Sequence, residues 1–542
     1  MNVRTRFAPS PTGFLHVGGI RTALFAYLVA RQAGGKFVLR LEDTDRKRLI
    51  EGSREHLIAS LKTIGIEYDE GPDIGGPFAP YVQSERLESY AQWARVLINK
   101  GLAYADPYTA EEVQHFREQA QANKKAFLYR DFRPENPPEW DGSQPLRFRS
   151  TPKSYTYHDE VMGTITTSPE VIDDIILIKS DGYPTYNFAH IIDDTEMEIT
   201  HVIRGQEFIS SMPNYLALYE ALGFEVTLAG DVAQHDSAAV ALEGEAPLAG
   251  DDERGSTHIS LPVAKNIGAD SSAGPASSDL RATSGSDDGS GKKRALPAFA
   301  HMPHIMNEQG NKKLGKRDGA KDVLDYIRDG YLPETMMSFI ATLGWNDGTE
   351  QEVFTRNELI EKFGLDRIQR SGARFDEKRL LWMNGHFIRE LSLDELYNRC
   401  EFFWSDTAKK APEDYKKRVL ALAHDRLKTL KDLPGLTSYF FAEPTRDDSL
   451  ITTNKQLKKL SSDEVSHLLD LVKSEFETLD DWTPEAIQTT LNNLLETTGQ
   501  KPGTLFSLVR IVTTWAPFSP QLNDTLALLG KQKTLLRLSK AF

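Results

Sequence analysis

Several groups of residues in this chain are suited to chemistry, and the first is a turn that pairs a histidine with glycines. In RFAPSPTGFLHVGG (6–19), Pro9, Pro11 and Gly13 force a turn, and His16, Gly18 and Gly19 then open the stretch GGIRTALFAYLVARQAGG. Glycines let backbone N–H groups approach an anion, a helix start adds partial positive charge, and His16 adds a donor, which together make a phosphate site. Taken alone, HVGG is equally an ordinary strand-to-helix turn with a surface histidine. A second group is NKKLGKRDGA (311–320), where Lys312, Lys313, Lys316 and Arg317 surround Gly315. Such a loop can neutralise triphosphate charge that builds as pyrophosphate leaves, although a basic turn is also common solvated surface. In LRLEDTDRKR (39–48), Glu42, Asp43 and Asp45 end a strand, where carboxylates point into a ligand crevice or else cap the next helix. A fourth group joins DGYPTYNFAH (181–190) to HVIRGQEF (201–208), with Tyr186, His190 and Arg204; a structural tyrosine and a surface salt bridge are the plainer readings.

The elements that must position these groups follow from periodicity. Residues 4–8 alternate as a strand, and Ile20, Leu24, Tyr27 and Leu28 recur at helical spacing, with Gly34 and Gly35 as a C-cap. KFVLRL is a second strand, so the segment reads as a βαβ unit and predicts a parallel, doubly wound sheet. From about 80 to 183 the pattern is mixed, with strand-like PLRFRS and IILIKS, which predicts an α+β insertion. The βα pattern resumes with HVIRG, MPNYLALYEALG and LPAFAHMPHIM, and after about 311 the chain is mostly helical, as in VLDYIRDGYL, PEDYKKRVLALAHDRLKTL and DEVSHLLDLVKSEFETL. Residues 225–294 contain no Phe, Trp or Tyr and cannot bury enough apolar surface to offset ordering entropy, so a flexible surface insert is expected there. A lineage-specific binding or regulatory element is the alternative.

A chain of 542 residues holds several domains. Its net charge of −15 argues against indiscriminate nucleic-acid binding but says little about a local basic groove. No apolar run of about 18 residues exists, and Arg4 and Arg6 stand where a leader would be apolar, so a cytoplasmic protein with no membrane partner is expected. Cys400 is the sole cysteine, which excludes an internal disulfide and a multi-cysteine zinc site.

The string RFAPSPTGFLHVGGIRTALF resembles the signature of the class I aminoacyl-tRNA synthetases in their glutamyl and glutaminyl branch, bacterial type, with HVGG in place of the HIGH motif. LGKR resembles the KMSKS motif and falls in the right order, and the likeness extends to FDEKRLLWMNGHFIRELS (375–392). Gly315 stands where the family usually has serine, which keeps mobility but removes a hydroxyl. At Gln206 and Phe208 the family commonly has an acidic residue and a His or Trp, which leaves the pocket rim unsettled. Some relatives hold zinc with cysteines after an AY dipeptide; here AYADPYTAEE has Asp106 and Tyr108 in those places, and no zinc is expected.

The resemblance implies an ATP-dependent glutamate–tRNA ligase that forms glutamyl-adenylate and passes glutamate to the 3′ end of tRNA(Glu), with the glutamine tRNA as a further substrate left open. Its substrates would be L-glutamate, ATP with Mg2+, and tRNA, and a monomer suffices. His16 and Lys316 would be catalytic. ATP would be held by His16, Gly18, Gly19, Lys313, Gly315, Lys316 and Arg317, and glutamate by Arg6, Ala8, Ser10, Glu42, Tyr186, His190 and Arg204. A dicarboxylic substrate wants two cationic anchors, which Arg6 and Arg204 could supply through planar forks. The expected domains are a catalytic half over 1–81, an acceptor-stem-binding insertion over 82–183, a second catalytic half over 184–310 carrying the insert, a loop and stem-contact domain over 311–385, and a helical anticodon-binding domain over 386–542. Helical periodicity after Asn384 disfavours a glutaminyl enzyme, whose anticodon region is a β-barrel. A catalytically inactive tRNA-binding or regulatory relative remains the alternative.

Overall fold

A computed structural model describes residues 2–228, 240–241, 294–315 and 321–540. Lys316 and Arg317, and most of the 225–294 segment, lie outside the described residues.

The first elements are β1 (Arg4–Phe7), α1 (Val17–Gln32) and β2 (Lys36–Leu39), with β1 and β2 parallel and Arg6 level with Val38. Then come α2 (Ser53–Thr63), α3 (Leu87–Asn99), β3 (Ala103–Ala105), α4 (Ala110–Ala122), β4 (Leu146–Phe148), β5 (Tyr155–Asp159), β6 (Gly163–Thr166) and β7 (Ile176–Ile178). The chain returns to the first sheet with α5 (Tyr186–Glu196), β8 (His201–Gly205), α6 (Met212–Ala221) and the strand Ala298–Met302.

The central sheet runs β6, β5, Ala298–Met302, β8, β1, β2, parallel from β5 onward and antiparallel between β5 and β6. This is the α/β fold that the βαβ pattern predicts. The pattern does not predict where the β5–β6 hairpin goes. It falls inside the 82–183 stretch, yet it extends the main sheet, while β3, β4 and β7 form a separate small antiparallel sheet. The join is at Phe299, level with Asp159.

Strand β1 also differs from a half-exposed alternating strand, because all four of its residues are buried. A parallel strand at the centre of such a sheet is covered on both faces, so its arginines need partners inside. Arg4 forks onto Glu70 at 2.7 and 2.9 Å, and Thr5 donates to the Ala26 carbonyl at 2.7 Å. On one face α1 buries Ile20, Leu24, Tyr27 and Leu28 in a core continuous with Met336, Phe339 and Ile340 of the helix Pro333–Ala341. The other face packs on Tyr90, Phe188, Ile192 and Leu216.

Beyond residue 321 the fold is helical apart from the two-residue strand Ala373–Arg374. Asn384, fully buried in the helix Glu377–Glu390, accepts from Leu332 N at 2.8 Å and donates to the Lys428 carbonyl at 2.6 Å. The last helices enclose a core of their own around Leu469, Val472, Leu491 and Leu508. Among the described residues no helix is long and apolar enough to cross a membrane.

Candidate active site

Parallel strands deliver their C-terminal ends to one edge of the sheet, where His16 follows β1, Glu42 follows β2 and Arg204 lies near the end of β8. His16 is the N-cap of α1: its Nδ1 accepts from Gly18 N at 3.0 Å. A neutral ring that accepts through Nδ1 carries its proton on Nε2, which makes Nε2 a donor suited to phosphate at the helix start. The glycines are there for contact. A Cβ on Gly18 would lie 2.9 Å from His16 Cε1, and one on Gly19 would lie 2.5 Å from Leu15 Cδ1.

The second motif is anchored beside the first. Leu314 N donates to the Ile305 carbonyl at 2.8 Å, and Asn307 N to the Lys312 carbonyl at 2.9 Å, so the chain reaches Gly315 as a short hairpin. On the far side, Asp322 is bridged through its backbone to His16. The described chain therefore resumes beside the His16 turn at Asp322. Lys313 lies 3.7 Å from Glu207 and is exposed.

Glu42 hangs at the end of β2 with its backbone N–H on the Pro9 carbonyl at 3.0 Å, which ties it to the segment holding Ala8 and Ser10. Ala8 is half-buried and Ser10 exposed. The Glu42 carboxyl is buried and accepts from Arg40 Nη2 at 3.0 Å. Burial raises it to about 7 against the pull of Arg40 and Arg6. Asp43 and Asp45 do not cap the next helix, α2. Asp43 accepts from the N–H and hydroxyl of Ser84 at 2.8 and 2.6 Å, Asp45 makes no capping bond, and the N-cap of α2 is Gly52.

Arg6 donates from Nε to Asp194 Oδ1 at 3.0 Å and from Nη1 to the Ile203 carbonyl at 3.2 Å. Arg40 donates to the same Asp194 oxygen at 2.7 Å, and the two guanidiniums, despite burial, hold that carboxyl well below the usual range. Tyr186 opens α5 and stacks on His190, ring centroids 4.6 Å apart at 12°. Arg204 is 4 % exposed and lies over the rings of Phe208 and Tyr215, 5.0 Å from each centroid. Among the described residues it has no carboxylate within ion-pairing distance. A desolvated guanidinium flanked by aromatic rings is a receptor for a carboxylate.

Comparison with known proteins then gives the family. A family model described as tRNA synthetases class I (E and Q), catalytic domain, matches residues 2–244 and 293–382. The chain belongs to that family. A second model, an anticodon binding domain, matches residues 393–542. Among curated members of this class I family, the chain is 36 % identical to a glutamate–tRNA ligase of Roseiflexus sp. (strain RS-1), covering 99 % of this chain and 96 % of that one. It is 34 % identical to one of Chloroflexus aurantiacus, covering 99 % and 97 %. The fold is also that of a solved glutamate tRNA ligase from Elizabethkingia meningosepticum, in complex with its amino acid: TM-score 0.77 at 28 % identity, covering 100 % of this chain and 99 % of that one.

Several residues of this class I site carry no motif signal of their own. Arg40 sits between Leu39 and Leu41, and a charged residue in an apolar strand was the available sign. Asp194 had a clearer one, since Tyr186, His190 and Asp194 recur every fourth residue and so share one face of α5. Its neighbour Asp193 accepts from Gln83, Arg86 and Tyr90, which ties α3 to α5. His301 and Asp159 were missed because they meet only when β5 joins the main sheet. Asp106, at a place where some relatives have a zinc-binding cysteine, accepts from Arg147 at 2.6 Å and from the Tyr129 hydroxyl.

Proposed function

We infer that the chain is an ATP-dependent glutamate–tRNA ligase that activates L-glutamate and transfers it to tRNA(Glu). The observation that carries the substrate assignment is Arg204, buried among aromatic rings and, among the described residues, without a carboxylate partner, on the same sheet edge as the buried Glu42 carboxyl. A cation for a carboxylate and a carboxylate for an ammonium are two of the groups an amino dicarboxylic acid requires, and Arg6 supplies the second cation. The curated relatives carry the same activity in their names.

In the first step the α-carboxylate of glutamate attacks the α-phosphorus of ATP, the bond to the bridging oxygen breaks, and pyrophosphate leaves. In the second a terminal ribose hydroxyl of tRNA attacks the acyl carbon and AMP leaves. Both nucleophiles belong to the substrates, so the protein's task is placement and charge stabilisation. His16 Nε2, with the Gly19 N–H at the helix start, takes the phosphates, and Gly18 holds the ring in place through its own N–H. Lys316, with Lys313, Gly315 and Arg317, takes the departing pyrophosphate, and Mg2+ travels with ATP. Arg204 takes one substrate carboxylate, and Arg6, Ala8, Ser10, Tyr186 and His190 complete the pocket around Glu42. Arg6 is the weaker of the two anchors, because Asp194 already neutralises it.

Charging assays with glutamate and glutamine, each with both tRNAs, test this reading. Charging of tRNA(Glu) with glutamate is expected. Absence of both charging and ATP–pyrophosphate exchange would favour an inactive tRNA-binding relative, and charging of the glutamine tRNA with glutamate would show the broader specificity.

A further inference from the structure

Arg204 differs from the other buried arginines nearby in what holds it. Arg4, Arg6, Arg40 and Arg86 each donate to a carboxylate. Arg204 instead donates from Nε to His301 Nε2 at 3.1 Å, and its Nη1 meets His190 Nε2 at 3.3 Å. An imidazole nitrogen accepts from a guanidinium only when it is bare, so both rings must carry their proton on Nδ1.

The surroundings impose that tautomer. His190 Nδ1 lies 2.7 Å from the Tyr186 carbonyl, which can only accept. His301 Nδ1 lies 2.6 Å from Asp159 Oδ2. Asp159 cannot turn away, since its Oδ1 accepts from the backbone of Val161 at 3.1 Å, Met162 at 2.8 Å and His301 at 3.3 Å. The sheet sets the pairing itself: Asp159 is level with Phe299, and His301 with Arg204. His301 and Asp159 are both fully buried. Burial and the nearby Arg204 hold both rings below the usual histidine range, hence neutral.

We propose that Asp159 and His301 form a positioning relay for substrate recognition. Asp159 fixes the Nδ1-protonated form of His301, and the bare Nε2 then orients Arg204 toward a substrate carboxylate without neutralising it. The proposal rests on reading Arg204 as the carboxylate anchor. A carboxylate in the place of the imidazole would hold the guanidinium as firmly but cancel its charge. With a ring between them, the Asp159 charge steers the ring and leaves Arg204 positive.

The test is Asp159→Asn. The backbone N–H groups still claim the amide oxygen, so the amide NH2 faces His301 Nδ1. The ring must then move its proton to Nε2, N–H against N–H of Arg204. The expected result is a rise in KM for glutamate on the order of tenfold, with kcat and KM for ATP nearly unchanged. Equal losses for ATP and glutamate would mark a merely structural role and overturn the relay. A second readout needs no altered relay: 15N spectra of the unsubstituted protein, with the His301 signal assigned by its loss in His301→Asn. Protonated Nδ1 and bare Nε2 near neutral pH are expected, and a protonated Nε2 overturns the proposal even if Asp159→Asn fails to fold. Arg204→Gln separates the two readings. If it leaves KM for glutamate unchanged, the anchor reading falls; if it raises KM while Asp159→Asn does not, only the relay falls.

Discussion

Arg40 donates to Glu42 at 3.0 Å from two residues back along the same strand end, and even so the Glu42 carboxyl stays at about 7. Burial outweighs the guanidinium. Half of the carboxyl groups are thus protonated near neutral pH, and an arriving substrate ammonium favours the charged form.

Glutamate binding should therefore release protons near pH 7 and weaken as the solution is acidified. The sign follows from the raised value, since the form that meets the ammonium is lost as pH falls through 7. KM for glutamate should rise as pH drops from about 7.5 to about 6, approaching tenfold per pH unit. Calorimetry in buffers of different ionisation heat would detect the proton. Glu42→Gln should abolish the release, and a release that survives that substitution would exclude Glu42 as its source.

Asp194→Asn should destabilise the catalytic domain by about 3–5 kcal/mol, because Arg6 and Arg40 lose the negative charge they share inside the protein. Urea unfolding followed by a probe confined to that domain measures this. A change under about 1 kcal/mol would mean the pair behaves as if exposed.

Gly18→Ala should leave stability nearly intact and slow the adenylation step on the order of 100-fold. The added Cβ lies 2.9 Å from His16 Cε1, so the ring must leave its cap and its donor moves with it. ATP–pyrophosphate exchange gives the rate, and a wild-type rate would show that His16 need not occupy that position.

Lys316→Ala should lower ATP–pyrophosphate exchange on the order of 100- to 1,000-fold while glutamate binding by calorimetry stays unchanged. Exchange at the wild-type rate would refute the role given to this lysine in spite of the altered residue at Gly315.

How much of this was legible beforehand depends on whether a group acts locally. The βα turn before α1 and the left-handed Gly34 just past its C-cap, Ala33, involve neighbours in sequence, so their spacing carries the information. Helical faces were legible for the same reason, and so was the α/β class. The buried charge network was not, because Arg6, Arg40 and Asp194 are 34 and 154 residues apart and single charges give no periodic signal. The β5–β6 hairpin was assigned to a stretch by its neighbours in sequence, whereas its place is set by pairing with residues 298–302. Reading Asp43 as a cap failed because its partner, Ser84, lies far along the chain.

The two strands that bracket the long acidic segment bear on how such a protein can change. Phe224–Glu225 pairs in parallel with Arg294–Ala295, so the chain departs and returns at neighbouring points of one framework. Closing a longer or shorter loop between fixed neighbours costs little, about 0.6 kcal/mol per doubling of length. Within that interval Thr227–Leu228 and Val240–Ala241 pair with β5 and β6, whereas the pairing of β1 with β2 and β8 draws no residue from it. A change of length between those two points thus acts on the β5–β6 side of the sheet, away from the strand ends that carry His16, Glu42 and Arg204.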